Sequence, residues 1–379
     1  VCVSWQTLTD EAALAEVAAE WSRLAERADA SLFVGPDWVN AWRATIAPDV
    51  KLRVVTARDP RGRLAAVWPL GIRTTGRGPA RYRILEAMGG TVVSGDRLDP
   101  ITATQGLEQQ LLVEAKRTAA NEADLIHWSE LSRSGPIARS LLTETQQARM
   151  QVRDRRVLPF IELPATYDAY MHTLSKKLRS YLRRQERAAA LQHGLTWHLN
   201  DQGTTLESAI EAFIDLHGEC WRHRGQTGSF VSCAFVAFVR RFAGIAHRRG
   251  WLRLHRLCDG QRTVAALMAF HCGQRAYYYQ GGWDPALAEL SPGSLCIGQA
   301  VRSAIEEQLR TFDFLRGDEP HKRRWANAHD ETVTIVEPVT ARGRTALACS
   351  AAKESFKQGL SRVAGHRAWA SVKSCLCPQ

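Results

Sequence analysis

The chain repeats itself at an offset of 200 residues, and this constrains its fold more than any other feature. Leu52-Arg53-Val54 is matched by Leu252-Arg253-Leu254, Asp59 by Asp259, and Leu64-Ala65-Ala66-Val67 by Val264-Ala265-Ala266-Leu267. Upstream, Phe33-Val34 with Trp38 is matched by Phe230-Val231 with Phe235 at the same internal spacing. Downstream, Gly89-Gly90 is matched by Gly281-Gly282, and Asp124-Leu125-Ile126 by Asp313-Phe314-Leu315. Matches in the same order along both halves predict two copies of one unit.

Each copy reads as two helices followed by a strand meander. The helices are Glu11–Ala28 and Asp37–Ile46, then Leu206–His223 and Cys233–Arg249. The strands Lys51–Ala57 and Leu64–Ile72 flank Asp59-Pro60-Arg61-Gly62; Trp251–Leu257 and Thr263–His271 flank Asp259-Gly260. Such turn residues between β-rich runs signal hairpins. The second copy continues with strand Arg275–Gly281, helix Gly293–Gln308 and strand Thr311–Leu315. Helices alternating with a meander predict an α/β fold with mixed sheets. Pro159 and Pro164 punctuate the chain, so the units are expected at 1–160 and 161–340, with a tail at 341–379. The two units are expected to pack face to face around a cleft.

Composition narrows the class. Of 379 residues, 45% are hydrophobic and 23% charged, which excludes a disordered or fibrous chain. No apolar run reaches membrane-spanning length, and the N-terminus does not read as a secretory signal. Nine cysteines at irregular spacing, with no C-x-x-C pair, predict a reduced cytoplasmic protein without a metal. The net charge of +11 resides in two segments: residues 176–187 carry +5 and residues 341–379 carry +6. The body is therefore neutral, which excludes a uniformly basic nucleic-acid binder. In the tail, Phe356, Leu360 and Val363 keep helical spacing beside Lys353, Lys357 and Arg362. That pattern fits a helix docked on the protein's own body or one lying on an anionic membrane.

Four segments could carry chemistry. In Leu174–Arg184, Leu174, Leu178 and Leu182 form an apolar stripe, and Lys176, Arg179, Arg183 and Arg187 form a separate basic row. The row is either a solvated face or a contact for anions, which the arginine fork suits. Ser291-Pro292-Gly293-Ser294 opens a helix, with Ser291 placed to cap, Pro292 in the first turn and Gly293 allowing close approach of a ligand. It is either an ordinary helix start or an anion-binding terminus. Arg316-Gly317-Asp318-Glu319-Pro320-His321-Lys322 follows a strand, crowding ionisable groups at its end, with Trp325 beyond. Tyr277-Tyr278-Tyr279 alternates faces, Tyr277 and Tyr279 on one side and Tyr278 on the other, before Gly281-Gly282. P-loop, dinucleotide, zinc-protease and serine-hydrolase motifs are absent from the sequence.

These segments, with Phe33-x-x-Pro36-x-Trp38-x-x-x-Trp42 in the first half, resemble the CelD-like branch of the GNAT superfamily acyltransferases, found with bacterial cellulose and exopolysaccharide synthesis. The resemblance covers roughly residues 5–340 and is most specific in Asp313–Trp325. It is similar in architecture to FemAB-like aminoacyl transferases, which also carry two GNAT-like halves. His321 stands where the family pattern has Tyr, and Ser291–Ser294 stands in place of the usual glycine-rich acyl-CoA loop.

The resemblance implies acyl transfer from acetyl-CoA or another acyl-CoA to an amine or hydroxyl, in polysaccharide or cell-envelope synthesis. Asp318 or Glu319 would be the base, Tyr279 the acid, and Lys322 and Arg316 would hold an anionic group. Ser291, Pro292, Gly293 and Ser294 would face the donor. Arg179, Arg183, Arg316 and Trp325 would face the substrate. Two other readings stand beside it: an aminoacyl-tRNA-dependent transferase, favoured by the basic helix, and a non-catalytic scaffold of a polysaccharide synthase.

Overall fold

The computed structural model describes residues 2–145 and 150–350. The first half contains β1 (Ser4–Leu8), α1 (Glu11–Arg27), α2 (Pro36–Thr45), β2 (Lys51–Arg58), β3 (Leu64–Thr75), β4 (Tyr82–Ala87), β5 (Ile101–Thr102), α3 (Leu107–Ala120), β6 (Leu125–Ser132) and α4 (Pro136–Thr145). Strand β7 (Gln151–Glu162), α5 (Tyr167–Thr173) and α6 (Lys176–Arg187) lead into the second half. That half contains β8 (Thr196–Leu199), α7 (Leu206–His223), α8 (Cys233–Arg248), β9 (Leu252–Asp259), β10 (Arg262–Cys272), β11 (Arg275–Trp283), α9 (Pro292–Glu306), β12 (Thr311–Asp313), α10 (Pro320–Arg323) and β13 (Ala328–Pro338).

The duplication is real in three dimensions. Hairpins β2–β3 and β9–β10 are both antiparallel, and each half closes with a parallel pair, β4 with β6 and β11 with β12. The fold is mixed α/β with two tandem halves of like topology. One match is out of register: Asp313 ends β12, whereas Asp124 precedes β6. Asp124 instead accepts the Arg83 backbone N–H at 2.8 Å and the Thr340 hydroxyl at 2.9 Å.

The expected face-to-face packing gives way to one continuous thirteen-stranded sheet, in the order β1-β2-β3-β4-β6-β13-β7-β12-β11-β10-β9-β8, with β5 on the edge of β3. Its symmetry comes from an exchange. Strand β7, which spans residue 160, leaves the first half and pairs with β12 of the second. Strand β13 leaves the second half and pairs with β6 of the first. The two exchanged strands then pair with each other over nearly their whole length. Each half thus supplies the strand that completes the other, so neither parallel pair is left with an open edge.

Alternation along the strands builds two apolar layers. On one face, α7 and α8 pack on Ala266, Met268, Phe270, Tyr277 and Tyr279. On the other, α5, α6 and α9 pack on Ala265, Leu267, Ala269 and Ala276. The duplicated aromatics join the halves: the Trp38 ring meets Phe238 and Phe242 edge-on, both at 4.7 Å. Residues 341–350 are helical, and Leu347 is buried with Ile84, Leu125 and Val336. The start of the tail is therefore docked on the body. The stretch around Phe356, Leu360 and Val363 lies outside the described residues. No described helix is long and apolar enough to cross a membrane.

Candidate active site

Strands β11 and β12 part company at a defined point. Their parallel pairing runs from Arg275/Thr311 to Tyr277/Asp313 and stops. Beyond it, β11 stays with β10, while the chain after β12 stays with β7: Phe314 donates its N–H to the Pro159 carbonyl at 3.0 Å and Gly317 to that of Val157 at 3.1 Å. A bulge widens the gap. Met268 pairs with Gln280 and Ala269 with Tyr278, so Tyr279 is the extra residue, and a bulge bends and twists its strand. On the other lip, Leu315 takes a left-handed conformation with φ 58°, its N–H bonded to Asp313 Oδ1 at 2.9 Å.

A cavity of about 750 Å³ fills the gap. Tyr278 to Trp283 form one wall, and Phe314, Leu315, Glu319 and His321 the other. The first turn of α9, with Ser291, Gly293 and Ser294, closes a third side, and Cys220, Trp221 and Arg224 at the end of α7 a fourth. Ser94, from the first half, also lines it. The sequence carries one signal for that contribution, the cluster Gly89, Gly90 and Gly95, where a Cβ on Gly95 would lie 2.1 Å from the Gly89 carbonyl oxygen.

Four of the expected residues reach this cavity usefully. Glu319 lines it, half-exposed, with Lys322 Nζ at 3.1 Å. A Cβ on Gly317 would meet Glu319 Oε2 at 2.4 Å, so the glycine leaves room for that carboxylate. Ser291, Gly293 and Ser294 line it as expected. Ser291 sits at φ 49° and its hydroxyl bonds that of Tyr181. Pro292 is buried in the first turn of α9. Ser294 Oγ accepts from Arg324 at 2.6 Å.

The others commit their polar groups elsewhere, although Tyr279, Arg316 and Lys322 also line the cavity. Asp318 points out of the cavity and forms an exposed pair with Arg323, which holds its carboxyl below the usual range. Tyr279 packs in the aromatic layer and spends its hydroxyl on the Val93 carbonyl at 3.0 Å. Arg316 touches the cavity, but its guanidinium lies 2.7 Å from Asp96 and 3.3 Å from Glu130, both buried in the first half. It is a tie between the halves and has no fork left for a ligand. Lys322 is buried and donates to the Arg316 carbonyl at 2.6 Å, clasping its own loop. Arg179 donates to the Met171 carbonyl at 3.1 Å, ending α5. Arg183 lies 3.7 Å from Asp168 on the solvent side of α6. Trp325 is core, buried against Gly298, its carbonyl accepting from Tyr170 at 2.9 Å.

Two further residues of the chemistry-bearing segments, neither of them among the expected site residues, line the cavity. Tyr278, on the opposite face from Tyr279, packs 5.9 Å from Phe314, and burial pushes its phenol up, keeping it protonated. His321 lines the cavity, and burial, then the charges of Lys322, Arg324 and Arg224, hold its ring below the ordinary value, against the opposing pull of Glu319. It is neutral at neutral pH. Burial also raises the Cys220 and Cys296 thiols, so neither is a ready nucleophile.

The comparisons with known proteins bear on the fold. Residues 176–323 match the acetyltransferase (GNAT) domain family. The whole fold is similar to the crystal structure of FemX, with TM-score 0.58 and 12% identity, covering 87% of this chain and 96% of that one. It is also similar to the C-terminal DUF2156 domain of a protein described as a lysylphosphatidylglycerol synthetase from Agrobacterium fabrum, with TM-score 0.54, 14% identity, and 90% and 96% coverage. A tandem GNAT protein from the clavulanic acid biosynthesis pathway superposes with TM-score 0.47 and 11% identity, over 89% of this chain and 99% of that one. No curated protein matches the chain in sequence.

Proposed function

We propose that the protein is an acyltransferase that moves an acyl group from a thioester, acetyl-CoA or a longer acyl-CoA, to an amine or hydroxyl. The observation that carries this reading is the parting of β11 and β12 over a cavity within the segment that matches the GNAT domain family. The inner edge of β11 past Tyr277 has no strand partner among the described residues, so an extended ligand can add to it by main-chain hydrogen bonds. Those N–H groups also polarise a thioester carbonyl, in the manner of an oxyanion hole.

The remaining roles follow from protonation. His321, neutral and in the cavity, takes the proton of the attacking amine or hydroxyl, with Glu319 beside it. The new C–N or C–O bond forms, the C–S bond breaks, and Tyr278 protonates the departing thiolate. The first turn of α9 and Arg324 face the donor's anionic part. The resemblance of Asp313–Trp325 to the CelD-like branch supports an acceptor from polysaccharide or cell-envelope synthesis.

Thermal unfolding with acetyl-CoA and longer acyl-CoAs tests this. A donor that binds only the native state raises the midpoint with the logarithm of its concentration. No shift with any CoA thioester would overturn the reading. The aminoacyl-tRNA reading keeps one support: Lys177, Arg183, Arg184 and Arg187 are exposed along α6, in a fold like that of FemX. A salt-sensitive shift with tRNA alone would favour it.

A further inference from the structure

Cavity charges are unevenly compensated. Arg316 is paired with Asp96 and Glu130, and Lys322 with Glu319. Arg324 and Arg224 have no carboxylate partner among the described residues. They stand on different sides of the slot. Arg324 reaches Ser294 at the start of α9. Arg224 ends α7, the helix that covers the opposite face of the sheet.

Arg224 is held in place without neutralisation. Its guanidinium lies 5.7 Å from the Trp221 ring centroid and 5.9 Å from that of Trp283, so two indoles flank it. Both indoles line the cavity. Cation–π contacts orient a guanidinium and shed part of its water, yet leave its N–H fork free to accept an anion. Gly225, with φ 67°, turns the chain immediately after it.

A parting between two strands connects the two faces of the sheet. If the donor enters beside α9, as the proposed function has it, the acceptor meets the thioester from the α7 side. We propose that the acceptor carries a carboxylate or phosphate near its reacting amine or hydroxyl, and that Arg224, flanked by Trp221 and Trp283, recognises that anion. This rests on the acyltransferase reading for the word acceptor, but the anion site stands or falls by binding alone.

The test is binding to the full chain, read by the fluorescence of the flanking tryptophans and by calorimetry. The probes are glucosamine 6-phosphate and glucuronate, with glucosamine and glucose as neutral counterparts, each with and without saturating CoA. At least one anionic probe is expected to bind about 10-fold or more above its counterpart, with CoA present or absent. Arg224→Gln is expected to weaken that binding about 10- to 100-fold and to leave the Kd for CoA unchanged, the scale of a charge-assisted hydrogen bond. Arg224→Lys, which keeps charge but loses the fork, should fall between. The phosphate and carboxylate arms show which anion fits. Weakened CoA binding in Arg224→Gln, or loss of the anion preference when CoA is bound, would assign Arg224 to the donor and overturn the proposal. So would anion binding indifferent to Arg224→Gln, or no anion preference at all. Anion binding that depends on Arg224 in a protein that binds no CoA thioester would support the site and remove the acyl-CoA donor.

Discussion

The hydroxyl of Tyr279 donates to the carbonyl of Val93 at 3.0 Å, joining a strand of the second half to a loop of the first. The neighbouring Tyr278 faces the other way, toward Phe314. Two consecutive tyrosines therefore separate a structural role from the chemical one proposed for Tyr278. Tyr279→Phe is expected to cost about 1–3 kcal/mol in urea unfolding, by stranding a buried carbonyl, with turnover little changed. Tyr278→Phe is expected to slow acyl transfer with little loss of stability. The reverse pattern would return the acid role to Tyr279.

Asp318 and Glu319 divide in the same way. Asp318 is exposed and paired with Arg323, so Asp318→Asn should leave turnover near wild type. Glu319→Gln and His321→Asn should each lower it, with loss of the base costing about 10²–10⁴. The pH profile identifies the base. A His321 held below its ordinary value of 6.5 is neutral above it, so the rate should be flat above about pH 6.5 and fall as acid protonates the ring. His321→Asn should abolish that acid limb. A limb that survives in His321→Asn points to Glu319.

Stability has its own acid dependence. His217 is fully buried, Nε2 against Gln280 Oε1 at 3.2 Å, and burial lowers its pKa from 6.5 to about 4. The unfolded chain binds the proton more readily, so His217 contributes stability that is full above pH 6.5 and is lost as pH falls toward 4. Between pH 7.5 and 5 this amounts to ~2 kcal/mol. Urea midpoints for His217→Gln should lose about that much of the slope. An unchanged slope would assign the acid sensitivity to other buried histidines such as His255.

Gly282 tests the wall itself. A Cβ there would lie 2.4 Å from the His217 backbone nitrogen and 2.7 Å from its Cα. Backbone cannot yield as a side chain can, so Gly282→Ala should push β11 away from α7 and cost about 1–3 kcal/mol. Gly260→Ala offers a contrast. A Cβ on Gly260 would meet nothing within 4 Å, so its cost should come only from the positive φ of 56°. Thermal midpoints of the two variants compare crowding with backbone strain.

Local pattern is enough to read the duplicated hairpins, the helices from Leu206 and Cys233, the start of α9 and the presence of Glu319 and Gly293 in the cavity lining. Periodicity and turn chemistry act over a few residues, and a repeated pattern repeats its local consequences. The exchange of β7 and β13 is not legible in that way. Gln151-Val152-Arg153-Asp154-Arg155-Arg156 is mostly charged and shows no strand alternation, yet it is a strand because β13, far along the chain, supplies its partner. The same limit governs the site. Arg316, Lys322 and Trp325 have the composition of a ligand-binding loop, but Asp96 and Glu130 claim the first, the Arg316 carbonyl and Glu319 the second, and the core the third. Sequence specifies which groups a loop carries. Which of them stay free for a ligand depends on partners contributed from far along the chain, and those are set by tertiary packing.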